Sequence, residues 1–109
     1  MGMEYSFENA WKIFAKKMLA RWRPSYESIA DQIPCPNEQL RKLLALQGGA
    51  RALEMLDQPV PKFGGRIKRE VLQTEDGMNA FKEFLMELPE EYWDVWVEEM
   101  KASLAKGKK

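Results

Sequence analysis

Histidine is absent from this 109-residue chain, and with it go imidazole acid–base catalysis, the common zinc sites and most catalytic triads. The single cysteine, Cys35, cannot form an internal disulfide and has no imidazole to activate it. It reads as a small buried hydrophobe, and the chain as one suited to a reducing cytoplasm. No apolar run approaches the roughly 20 residues that a membrane-spanning helix needs, and no basic-apolar-small segment opens the chain as a secretory signal. Met1-Gly2 with Ser6 fits the myristoylation pattern, but a Met-Gly start also arises from cloning, and no membrane partner is expected. Net charge is likewise missing, since seventeen basic residues balance seventeen acidic ones. A protein that coats nucleic acid through bulk positive charge would not have this balance.

What is present describes a folded protein. A hydrophobic fraction of 45% with four Trp, three Tyr and five Phe excludes a disordered chain, and the length suits a single domain over residues 1–109. The zero net charge conceals a strong polarity. Residues 1–23 carry five basic and two acidic residues, and residues 59–73 carry four basic residues (Lys62, Arg66, Lys68, Arg69) and one acidic. Residues 74–100 then hold nine acidic residues and only Lys82. One face would therefore be basic, with the acidic third pointing away from it.

The apolar periodicity predicts a mostly α, all-α-class bundle of about five helices. Phe7, Trp11, Phe14, Ala15, Met18 and Trp22 mark a first helix from about Ser6, a capping residue, to Trp22, with Pro24 as its stop. Ser25 is placed to cap a short second helix with Tyr26, Ile29, Ala30 and Ile33 inward, ending near Gln32. A third helix starts near Pro36 or Asn37, carries Leu40, Leu43, Leu44 and Leu46, and ends at Gly48-Gly49. Residues 50–56 allow a further helical piece, closing a first part over 1–57. Residues 58–73 form a basic loop or a short hairpin, with Val60 and Phe63 before a Gly64-Gly65 turn and Ile67 and Val71 after it. An acidic helical pair follows over 74–105. Its first helix bears Met78, Phe81, Phe84, Leu85 and Leu88, and its second opens at Pro89-Glu90-Glu91 and bears Trp93, Trp96, Val97, Met100 and Leu104. Residues 106–109 read as a frayed tail.

Counted from Tyr26, apolar residues occupy the fourth, eighth, tenth, fifteenth and eighteenth places (Ile29, Ile33, Cys35, Leu40, Leu43), with a small residue, Ala30, at the fifth. Over about residues 26–45 the chain thereby resembles the helix-turn-helix family of DNA-binding domains. The resemblance implies a recognition helix in the major groove, with Asn37, Gln39, Arg41 and Lys42 reaching base edges or phosphates. The first helix and the Lys62, Arg66 and Lys68 segment would resemble the supporting helix and wing of winged-helix relatives, the latter contacting phosphates. One position departs: the family usually has glycine where Pro34 stands, because its turn uses a positive φ that proline cannot adopt.

Two functions follow. The first is a small DNA-binding transcriptional regulator whose partner is double-stranded DNA. The second is a helical adaptor or inhibitor that meets a protein with a basic surface through Glu91, Tyr92, Asp94 and Trp96 of the aromatic, acidic last helix. A homodimer through that helix would suit either. No enzyme is expected and no cofactor or metal is called for. The carboxylates Glu87, Glu91, Asp94 and Glu98, at helical spacing, read as a solvated acidic face rather than a magnesium site.

Overall fold

The computed structural model describes residues 6–107. The start of the myristoylation pattern, Met1-Gly2, and the final two residues lie outside them. Among the described residues the chain is mostly helical, with four long helices, three short ones and one two-stranded hairpin.

Helix α1 (Phe7–Leu19) begins where Ser6 Oγ accepts a hydrogen bond from the Asn9 backbone N–H at 3.1 Å, with Glu8 in its first turn and Lys16 and Lys17 in its last. Capping oxygen and flanking charges all match the helix dipole. The helix ends three residues before Trp22. Arg21 and Trp22 instead donate to the Met18 and Leu19 carbonyls in tightened turns, and Trp22 packs against Tyr26 with ring centroids 5.8 Å apart.

Pro24 opens a 3-10 turn (Pro24–Tyr26) that runs directly into α2 (Glu27–Asp31), so Ser25 does not serve as a cap. Proline presets the φ of a first helical residue, and the helical turn starts one position before a serine cap could act. Between α2 and α3 (Glu38–Gly48) the Cys35 N–H donates to the Ile33 carbonyl at 2.8 Å. Among the described residues only glycines have positive φ, so this is an inverse γ-turn centred on Pro34, a conformation that suits proline's fixed φ. Its remaining carbonyls are met by side chains: Gln73 Nε2 donates to the Pro34 carbonyl and Arg41 Nη1 to that of Cys35, both at 3.1 Å.

α3 starts at the Asn37 cap, whose Oδ1 accepts from the Leu40 N–H at 2.9 Å. Leu40, Leu43, Leu44, Ala45 and Leu46 are all buried, more than one face of a helix supplies, because α1, α2, α4 and α7 surround it. The helix stops at Gly49, which has φ +56° and lies against the Asp94 carboxylate. A β-carbon there would come within 2.6 Å of three Asp94 atoms.

A 3-10 turn (Gly49–Arg51) leads into α4 (Ala52–Met55), and the hairpin follows as β1 (Pro59–Val60) and β2 (Arg66–Ile67), antiparallel, with Pro59 opposite Ile67 and Val60 opposite Arg66. A two-stranded pair this short does not stand alone in water. It is held by Phe63, in a 3-10 turn rather than a strand, whose ring meets Phe81 and Phe84 at 5.0 and 5.9 Å. Val71, expected to follow the turn in extended chain, lies in α5 (Lys68–Val71).

Thr74 caps α6 (Glu75–Glu87) by accepting from the Gly77 N–H at 3.0 Å, and Phe81 and Leu85 are its buried stripe. The last helix does not open at Pro89. Glu90–Tyr92 forms a 3-10 turn, Trp93 is extended (φ −101°, ψ 126°), and α7 spans Asp94–Gly107, including two residues of the expected tail. That extended residue aims the Trp93 ring into the core, 1% exposed and edge-on to Phe14 at 5.6 Å. No described helix is long and apolar enough to cross a membrane.

Candidate functional site

The acidic third does not point away from the basic segments. Arg21 lies 3.8 Å from Glu90 and 3.6 Å from Glu99, Arg23 lies 3.9 Å from Glu99, and Lys62 Nζ meets Glu87 Oε1 at 2.6 Å. Much of the polarity along the sequence is thus neutralised across the fold, where opposite charges attract most strongly at short range. Exposed lysines free of ion pairs among the described residues lie elsewhere, at Lys12, Lys16 and Lys17 on α1.

The polar side chains at the start of α3 are occupied. Asn37 is the helix cap, and Gln39 Oε1 accepts from Trp11 Nε1 at 2.7 Å, tying α3 to α1. Arg41 turns back to the Cys35 carbonyl. Lys42 lies 3.7 Å from Glu38 and 5.6 Å over the Trp22 ring. Glu38 is the one exposed residue of α3. Buried Ile33, Cys35, Leu40 and Leu43, with Ala30 at 4% exposure, join α2 to α3 in the main core, while Ile29 is half-buried beside it. Burial pushes the Cys35 thiol above its ordinary pKa, and its Sγ lies 3.6 Å from the Asn37 carbonyl and 3.9 Å from Met78 Sδ, a packed position rather than a reactive one.

The hairpin's cations take three different positions. Arg66 is exposed on β2, and Lys62 is held by Glu87 beside the Phe84 ring. Lys68 is buried, with Nζ 5.6 Å from the centre of the Phe81 ring.

In the turn before α7, Glu91 is exposed, and Tyr92 is 59% exposed while its carbonyl accepts from Gln47 Nε2 at 3.0 Å. Asp94 Oδ2 accepts the Tyr26 hydroxyl at 3.0 Å, and burial first, then this bond to a carboxylate, pushes the Tyr26 pKa above its ordinary value. Asp94 is therefore a clasp between α7, the Pro24–Tyr26 turn and Gly49. Trp96 is half-buried against the core.

The apolar stripe of α7 then outruns its cover. Trp93 is buried and Val97 half-buried, but Met100 is 41% and Leu104 65% exposed, and residues 100–105 are exposed without exception. Within the helix, spacing of three and four residues keeps Val97, Met100 and Leu104 on one face. The signal was present in the sequence, where the stripe from Trp93 to Leu104 is long for the core that one small domain offers. No protein-family model, curated protein or solved structure matches the chain.

Proposed function

We propose that the protein is a small helical binding module that docks a protein partner along the distal half of α7. The observation that carries this reading is the apolar stripe of α7 that is half-buried at Val97 and emerges uncovered at Met100 and Leu104. An amphipathic helix presented in this way inserts its anchors into an apolar groove. Exposed Glu91 and Glu98 and the ring of Tyr92 lie on the same C-terminal segment, so a groove with a basic rim is the complementary partner. Such a module works as an adaptor or inhibitor, and self-association through the stripe is the competing occupant.

The test is capture of cross-linked partners by the full chain and by Met100→Glu/Leu104→Glu, with molar mass by light scattering measured alongside. A partner retained by the native chain and lost from the double variant, both monomeric, supports the reading. Equal capture by both overturns it, and a native dimer that the variant dissociates replaces the partner with a second copy.

A second reading, binding to duplex DNA by a transcriptional regulator, is favoured by the three exposed lysines of α1, which packs against α3, and by the six-place spacing from Ile29 to Leu43. In that case the lysines, with Arg66, supply phosphate contacts. Affinity for random duplex would fall steeply with salt, and Lys12→Glu/Lys16→Glu would weaken it while the α7 variant would not. No binding at low salt removes this reading.

A further inference from the structure

A cleft of about 250 Å³ opens between the hairpin, α4, the end of α6 and the Glu90–Tyr92 turn. Met55, Val60, Phe84 and Leu88 supply apolar wall, Gln47 and Tyr92 close one side through their hydrogen bond, and Lys68 is the only charged residue in the lining. The volume is below the roughly 300–1,000 Å³ of pockets for drug-sized ligands, so its occupant has a small apolar body.

Lys68 gives the cleft its chemistry. The side chain is 8% exposed and makes no ion pair or side-chain hydrogen bond among the described residues. Beyond its contact with the Phe81 ring, the ammonium has no hydrogen-bond acceptor among the described residues. A buried cation is retained at a cost unless it is paired, and no carboxylate lines the cleft.

We infer that this cleft binds a small apolar monocarboxylate, whose hydrocarbon lies against Met55, Val60, Phe84 and Leu88 and whose carboxylate pairs with the Lys68 ammonium. One cation among apolar walls favours a monoanion over a phosphate dianion, which would bury an unmatched charge. Neutral molecules of the same shape would leave the ammonium unpaired. Burial pulls the Lys68 pKa down to about 8, so the empty site holds its proton weakly and a bound carboxylate raises the proton affinity again. Tyr92 is the other titratable residue lining the cleft. The inference is independent of the α7 docking reading.

The test follows the methyl resonances of Met55, Val60 and Leu88 in the full chain during titration with hexanoate, with hexan-1-ol as the neutral control. Saturable shifts are expected, with hexanoate bound at least about tenfold more tightly than the alcohol at pH 7. Lys68→Met preserves apolar burial and should fold, as a circular dichroism melt will verify. It should bring the two ligands within about twofold of each other. In the native chain, raising the pH from 7 to about 10 should weaken hexanoate by more than about tenfold and leave the alcohol unchanged, because the amine loses its proton. Absence of saturable shifts, equal affinity for acid and alcohol, or an undiminished hexanoate preference in Lys68→Met would each overturn the inference.

Discussion

α3 and the distal half of α7 are both amphipathic by periodicity, yet α1, α2, α4 and α7 enclose the first, while the second is exposed from Met100 onward. In α3, five consecutive or near-consecutive apolar residues are buried and the polar side chains are drawn into caps and bridges to neighbouring elements. In α7, only the first turns contribute to the core. Periodicity reports that a helix has an apolar face, and the number of neighbours decides whether that face is core or interface. The helix whose sequence resembles a recognition helix is thus the hub of the fold. The distal half of α7 is where apolar side chains at helical spacing stay uncovered.

The largest effect that separates these helices is expected at Leu43, which has no exposure. Leu43→Ala should lower the unfolding free energy by about 2–5 kcal/mol in urea denaturation. Gly49→Ala comes next, at about 1–3 kcal/mol, because the backbone is in a region unfavourable to a β-carbon and that carbon would displace the Asp94 carboxylate. If Gly49→Ala melts like the native chain, Asp94 does not clasp α7 to the end of α3.

Tyr26→Phe removes the hydroxyl from Asp94 and should cost about 1–2 kcal/mol at neutral pH. The sign of its pH dependence is set by the raised pKa of Tyr26. The folded state disfavours the phenolate, so this stabilisation is complete below about pH 10 and is lost as the pH rises beyond that value. Alkaline denaturation of the native chain should therefore begin in that range, and Tyr26→Phe should flatten it. Glu99→Gln breaks the contacts with Arg21 and Arg23, which are long and partly exposed, and should cost less than about 1 kcal/mol, shrinking further in high salt. Smallest of all, Leu104→Ala should change stability by less than about 0.5 kcal/mol while weakening partner capture. A loss as large as that of Leu43→Ala would mean that α7 is covered in solution by another copy.

Local features were legible because local chemistry decides them. Ser6 begins α1 by accepting a backbone N–H three residues on, α3 starts at the Asn37 cap within a residue of its expected start, and the Gly64 turn, at φ +71°, lies in the loop that joins two antiparallel strands. The failures have local reasons too. Ser25 lost its capping role to Pro24, and the last helix began at Asp94 because an extended Trp93 places its ring in the core, a gain in burial that outweighs one more helical turn. The candidate interfaces were harder to read. Nothing in the spacing of Gln39 or Arg41 says that Trp11 and the Cys35 carbonyl will take them, whereas Glu38 and Lys42 stand at the i,i+4 spacing of a helical ion pair.

The sequence by itself determined a mostly helical chain, the helix pair on either side of Pro34, and a basic glycine-containing turn after it, since periodicity, caps and turn residues act over a few positions. Only the tertiary structure decided that Lys68 would be buried without a counter-ion, that the acidic third would neutralise Arg21, Arg23 and Lys62, and that Met100 and Leu104 would emerge uncovered. Those outcomes depend on which residues distant in sequence share a few ångströms of space, where burial and Coulomb attraction act without regard to chain order.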